Sequence, residues 1–262
     1  MQARQGQRAY AVGTTWDEDF AGLGLIRDET MREYMQAGGV GNVANMVRFA
    51  LARDLKIGKR PSRPVAIPEM AFMDPVSGRV TESYDEFRRL YRAREGAPWV
   101  GILFYRGNAM SGQIGTVAAI ARELEKRGLN ALPVYGYPNE QALERFMFDP
   151  QGKPRVAALV ALGLKIGTTP DKSVPVLQRL DVPVLNAISL YGQSRAQWEA
   201  SPVGLDITER AWQVASAEFA GAVAPTVVSS KEKVTDAATG LPLVVETPIP
   251  ERVERLAERA RR

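Results

Sequence analysis

The chain has 262 residues, of which 45% are hydrophobic, 24% charged and 8% aromatic, with 34 basic against 30 acidic side chains and a net charge of +4. That length can bury one large core or two modest ones, and the composition is that of an ordinary folded chain. The absence of Cys and of His removes disulfides, thiolate sites and the imidazole that usually serves as transition-metal ligand and general base, and with them zinc-type hydrolysis and Ser-His-Asp chemistry.

The longest apolar runs, 99–105 and 156–164, fall short of the roughly 20 residues a membrane-spanning helix needs. The first ten residues are polar and basic and do not read as a secretory signal, so a cytoplasmic location is expected. Basic and acidic residues are interspersed without the Lys/Arg stripe of a nucleic-acid surface. No carboxylate cluster has calcium-loop spacing, and no resident metal is expected.

In chain order, Asp28 to Leu55 reads as helical: Val43, Met46, Val47, Ala50 and Leu51 recur on one helix face, after an interruption at Gly38, Gly39 and Gly41. Pro61, Pro64, Pro68 and Pro75 make the next stretch loop or extended chain, because each lacks a donor and disfavours helix in the residue before it. Ser83 to Arg94 is a second amphipathic helix with Phe87, Leu90 and Tyr91 together.

From Trp99 onward, strands and helices alternate. Buried strands are predicted at 99–105, 130–135, 156–162, 182–188 and 225–229, with helices at 114–127, 140–148 and 172–180 between the first four. Asp206, three residues before Glu209, opens a further helix by a capping box and carries it to about Phe219. The stretch 234–246 reads as a hairpin turning at Ala237-Ala238-Thr239-Gly240. Pro250 then starts a helix with Val253, Leu256, Ala257 and Ala260 on one face, still running at Arg262 as if the chain once continued.

Parallel strands need right-handed helical crossovers. The expected fold is therefore α/β: a flavodoxin-like or Rossmann-like parallel sheet with flanking helices, preceded by a mostly helical segment. The expected divisions are a helical part at 1–60, a Pro-rich connection plus helix at 61–96, the α/β domain at 97–246, and a final helix at 247–262.

In such sheets ligands bind beyond the carboxyl ends of the strands. The first strand ends in Arg106-Gly107-Asn108-Ala109-Met110-Ser111-Gly112-Gln113, whose glycines and fixed charge suit an anionic ligand group. The bland alternative, that Arg106 pairs with a neighbouring acid and the glycines only turn the chain, is favoured on the residues alone. Neither GxGxxG nor a P-loop lysine is present, so NAD and ATP are not supported. Other strand ends carry Tyr135, then Gly163, Gly167 and Thr168, then Asn186, Ser189, Tyr191 and Gln193, and then Ser229, Ser230 and Lys231. Trp198 and Trp212 read as packing residues, and Asp17 and Glu18 beside Trp16 as solvated surface.

Phe104 to Gln113, followed by ELEKRGLNALPVY at 123–135, resembles the large subunit of aerobic cobaltochelatase and the related porphyrin-binding subunit of magnesium chelatase. GGVGNVANMVRFAL at 38–51, VPVLNAI at 182–188, Ser201 to Ser230 and the final PIPERVERLAERARR resemble that family in the same order. The resemblance implies an amino-terminal-half piece of a subunit that binds a corrin precursor, hydrogenobyrinic acid a,c-diamide. In cobalamin biosynthesis such a subunit accepts cobalt(II) as substrate while two smaller subunits, one an AAA+ ATPase, hydrolyse ATP. The piece alone is expected to lack complete insertion chemistry, with no catalytic residue of its own.

On this reading Arg106, Asn108, Ser111, Gln113, Tyr135, Asn186 and Tyr191 are the candidate contacts to substrate side groups. Many relatives carry His where Asn108 and Met73 stand here. The alternatives are a scaffold that docks the ATPase partner, and a magnesium chelatase subunit acting on a porphyrin.

Overall fold

The computed structural model describes residues 8–13, 19–163 and 170–262. Trp16, Asp17, Glu18, Gly167 and Thr168, considered above, lie outside the described residues. The chain forms two compact units, one of 1–67 with 110–112, the other of 68–109 with 113–262.

The first unit holds β1 (Ala9–Ala11), α1 (Asp19–Gly22), β2 (Leu25–Arg27), α2 (Glu29–Ala37) and α3 (Val40–Asp54), with β1 and β2 parallel. Asp28 caps α2 by accepting from the Met31 N–H, which satisfies one of the free donors at a helix start. The interruption expected at the glycines separates α2 from α3, because Gly38 and Gly39 both take positive φ, +70° and +82°, a region that costs a residue with a Cβ. Met31, Tyr34 and Phe49 form the buried centre. The face expected to be buried on α3 is partly turned outward: Val43 and Val47 are exposed while Phe49, on the other side, is buried against Tyr34. The large ring, not the count of apolar residues, selects the inward face.

Asp54 ties this unit together by accepting from Arg53, Arg8 and Tyr10. The Arg53 hydrogen bond, then that of Tyr10, holds the Asp54 carboxyl well below the usual carboxylate range.

The second unit contains β3 (Ala71–Met73), β4 (Val80–Thr81), α4 (Tyr84–Tyr91), β5 (Trp99–Phe104), α5 (Arg106–Ser111), α6 (Gly115–Lys126), β6 (Asn130–Tyr135), α7 (Asn139–Phe146), β7 (Ala158–Leu162), α8 (Pro170–Leu180) and β8 (Val184–Ser189). It continues through α9 (Arg195–Ala200), α10 (Ile207–Glu209), a π-helical turn (Arg210–Ala215), α11 (Ser216–Phe219), β9 (Val223–Thr235), β10 (Pro242–Pro248) and α12 (Pro250–Arg261). Residues 110–111 at the end of α5 group with the first unit.

One eight-stranded sheet runs in the order β10-β9-β8-β7-β5-β6-β3-β4. The five predicted strands, β5 to β9, are mutually parallel. Numbered from β5, their order is 2-1-3-4-5, the flavodoxin-like arrangement, and the topological switch falls between β5 and β7. Strands β6, β7 and β8 are buried throughout, as continuous apolar runs require when both faces are covered.

On one face Phe72, Phe87 and Phe146 pack with Leu103, Leu132, Leu159, Leu177 and Ala217, beneath α4, α7, α8 and α11. Each such large side chain contributes about 1.5–3 kcal/mol on burial. Helices α6 and α12 pack together, α6 also against β10 and α12 against β9, with Arg127 of α6 reaching Glu254 and Glu258 of α12. The final helix, set apart in the sequence reading, is thus part of this unit, as are β3 and β4 within 61–96. Those two antiparallel strands extend the sheet past β6.

Candidate functional site at the carboxyl edge of the sheet

Because β5 to β9 are parallel, their carboxyl ends share one edge. β9 is longer than predicted, 13 residues instead of five. Its second half pairs antiparallel with β10, Glu246 lying opposite Lys231 and Pro248 opposite Ser229. This hairpin brings Glu246 to the residues that follow β5.

Glu246 collects three donors. Asn108 Nδ2 is 3.0 Å and Lys231 Nζ 3.3 Å from its Oε2. Ser229 Oγ is 3.2 Å from its Oε1 and 2.8 Å from Ser189 Oγ. A hydroxyl has one proton, so Ser229 donates to the carboxylate and accepts from Ser189. The Glu246 side chain is 5% exposed and that of Lys231 24%, so the pair is largely shielded from water and screens little. Asn108 uses its other N–H on the Gln113 carbonyl, 3.1 Å away, which closes the segment after β5 on itself.

A second set of polar contacts locks the end of β8. The β7 pairing ends at Leu162 opposite Ala187, so among the described residues the Ser189 backbone has no strand partner on that side. The Gln213 amide replaces it: its Oε1 accepts from the Ser189 N–H at 3.1 Å and its Nε2 donates to the Ser189 carbonyl at 2.8 Å. Asn186 donates to the Gln213 carbonyl, inside the π-helical turn.

Glu209 was expected to close a capping box. Asp206 does accept from the Glu209 N–H at 2.8 Å, but the Glu209 carboxyl turns instead to the Tyr191 N–H. The residue is 2% exposed and its Oε2 has no hydrogen-bond partner among the described residues. Burial, offset in part by the Tyr191 N–H, raises its pKa above the ordinary carboxylate value.

The sequence candidates fare differently. Arg106 lies at the edge but donates to the Pro68 carbonyl at 3.3 Å and pairs with Glu69 at 3.2 Å, the latter 80% exposed. That is the bland pairing foreseen for it, and an exposed pair of this kind is weak. Asn108 and Gln113 sit in the Glu246 network, and Tyr191 follows β8 with 66% exposure. Tyr135 departs from the expected open position: it is fully buried, its ring edge-on to Phe104, and burial pushes its hydroxyl pKa up to about 12. Asn186 is buried and engaged by the π turn. Ser111 groups with the first unit. Among the described residues no group of three or more His, Cys, Asp or Glu could hold a metal ion. No described helix is long and apolar enough to cross a membrane.

Sequence reasoning missed Glu246, Gln213 and the role of Glu209. The Asn108–Glu246 contact spans 138 positions, and no local spacing could have announced it. The family model for CobN/magnesium chelatase matches residues 32–262. The chain belongs to this family. It is 30% identical over 256 residues to the aerobic cobaltochelatase subunit CobN of Sinorhizobium sp, covering 93% of this chain and 20% of that protein. It is 29% identical over 215 residues to the chloroplastic magnesium-chelatase subunit ChlH of Oryza sativa subsp. japonica, covering 75% of this chain and 15% of that protein. Among solved structures, the catalytic subunit of cobaltochelatase from Mycobacterium tuberculosis superposes with a TM-score of 0.66 at 27% identity, covering 88% of this chain and 19% of that one. The family member described here therefore spans about a fifth or less of the length of these relatives.

Proposed function

We propose that the chain contributes to tetrapyrrole binding within the large subunit of a chelatase, of the cobalt-inserting type, and that the carboxyl edge of its sheet meets the macrocycle. The macrocycle on this reading is hydrogenobyrinic acid a,c-diamide. Cobalt(II) is the substrate metal, and ATP is hydrolysed by two smaller partner subunits, one an AAA+ ATPase. Arg106 counters substrate carboxylates, while Asn108 and Gln113 offer hydrogen bonds from the same edge. What carries the reading is a preorganised polar edge at the topological switch, where open α/β sheets take ligands, in a chain 30% identical to CobN.

A second reading, a scaffold that docks the ATPase partner, draws on the internal pairing of Arg106 with Glu69 and of Asn108 with Glu246. A magnesium chelatase role differs in metal and macrocycle and draws on the likeness to ChlH.

Absorbance titration of hydrogenobyrinic acid a,c-diamide with the chain distinguishes the first two. Tetrapyrrole binding gives a saturable spectral shift, and Arg106→Ala raises Kd about tenfold, equivalent to about 1.4 kcal/mol. No shift at any concentration, together with capture of the ATPase subunits, overturns the binding role in favour of the scaffold.

A further inference from the structure

Three tyrosines stand at the same edge, each just beyond a different parallel strand. Tyr105 directly follows β5, Tyr137 lies two residues past β6, and Tyr191 two residues past β8. They are 60%, 79% and 66% exposed, whereas Tyr34 and Tyr135 are buried. Among the described residues none of the three hydroxyls makes a hydrogen bond. Rings gathered at one edge beside polar groups make the kind of amphipathic patch that a flat ligand can cover.

Each ring has a fixed base. The Tyr105 ring lies where a side chain at Gly107 would be, since a Cβ there would stand 2.4 Å from Tyr105 Cε1. The backbone before Tyr137 is wedged: a Cβ at Gly136 would meet Met70 Cγ at 2.7 Å and Ala142 Cβ at 2.8 Å. Tyr191 follows fully buried Leu190, and Glu209 holds its backbone N–H.

The strand order sets their spread. From β6 through β5 and β7 to β8 are three strand spacings, about 14 Å in all. That is the breadth of one tetrapyrrole with its side groups, and far more than a single nucleobase or sugar ring needs.

We infer that Tyr105, Tyr137 and Tyr191 form an aromatic rim on which one face of a flat, conjugated tetrapyrrole rests, with Glu209 as the positioning residue for Tyr191. The inference rests on the tetrapyrrole reading above and adds to it the residues that take the ring face, as distinct from the side groups. Stacking needs the ring and not the hydroxyl, so Phe serves in place of Tyr.

The test is absorbance titration of the full chain with a water-soluble free-base porphyrin bearing carboxylate side chains. Tyr105→Ala, Tyr137→Ala and Tyr191→Ala each raise Kd about threefold to tenfold, while the three Phe replacements stay within about twofold. Gly107→Ala, which displaces the Tyr105 ring without removing it, reproduces the Tyr105→Ala effect. Glu209→Gln moves Kd in the same direction by loosening Tyr191, and Tyr191→Ala made on top of it adds little. All of the tyrosine sites are exposed, so unchanged thermal unfolding of the variants checks that each is folded. If the parent chain binds and the Ala variants bind equally well, the aromatic rim is overturned while the tetrapyrrole reading stands. If Phe weakens binding as much as Ala, hydrogen bonding replaces stacking and the inference fails. If the parent gives no spectral shift, the reading beneath it falls first, and this one with it.

Discussion

At the amino ends of β8 and β9 the sheet opens into a cleft of about 530 Å3 lined by Val174, Leu177, Asp181, Val184, Phe219 and Gly221; the carboxyl ends carry a rim of side chains fixed by one another. On the wall of that cleft Phe219 is 78% exposed. The opposite end has Glu246 held by three donors and Gln213 clamped to Ser189. The proposed site lies at this opposite end, because recognition is favoured where polar groups are already oriented before the ligand arrives.

The contrast breaks most decisively at Glu246. Glu246→Ala leaves Lys231 and the Asn108 amide without their shared acceptor in a shielded setting, and costs about 2–3 kcal/mol. The urea midpoint falls with an unchanged slope, and a loss below about 0.5 kcal/mol would mean the rim is no better organised than the cleft.

A smaller effect is expected at Glu209. Its folded pKa is raised by burial, so the folded state holds a proton that the unfolded chain gives up. The stabilisation is complete below the ordinary carboxylate value of 4.5 and is lost as pH rises toward and through the raised folded value. Urea midpoints measured across that window decline for the parent relative to Glu209→Gln, which has no proton to lose. Parallel profiles would show that the orphaned oxygen is solvated after all.

The smallest change is at the cleft itself. Phe219→Ser alters stability by less than about 0.5 kcal/mol and leaves the porphyrin titration where it was. A weakened titration would move the ligand to the amino end and reverse the comparison.

The parallel core was legible because its strands are continuous apolar runs, and a strand buried on both faces needs no alternation to be recognised. The prediction for 130–135 coincides with β6, and those for 99–105, 156–162 and 182–188 differ from β5, β7 and β8 by two residues or fewer at each end. β3 and β4 were not legible: three and two residues long among prolines, they have no period to detect and form only because β6 offers them an edge. Residues 230–233 of β9, which join the strand predicted at 225–229 to the hairpin predicted at 234–246, were missed because charged residues interrupt them, and the hairpin rather than the core holds them extended.

The site was legible as an edge but not as a set of contacts. Strand ends could be read, which placed Arg106, Asn108 and Tyr191 correctly along the chain. Which side chains turn outward is decided by packing: Tyr135 closes against Phe104 while Tyr137, two positions on, stands in solvent. The capping signature at Asp206 and Glu209 was sound for the helix start and silent about where a spare carboxyl would go. The Ser194/Gln197 pair, with the same spacing, does form the reciprocal box at α9.

The bond between Asn108 and Glu246 also fixes an order of events during synthesis. Everything from β5 to β8 can begin to collapse as it leaves the ribosome, since each parallel strand pairs with one already made. The rim waits for the last hairpin, because its central carboxylate is made 138 residues after the amide it receives. A nascent chain halted before β10 would carry the sheet's core with an unfinished edge, and ligand recognition would come only after the fold beneath it had set.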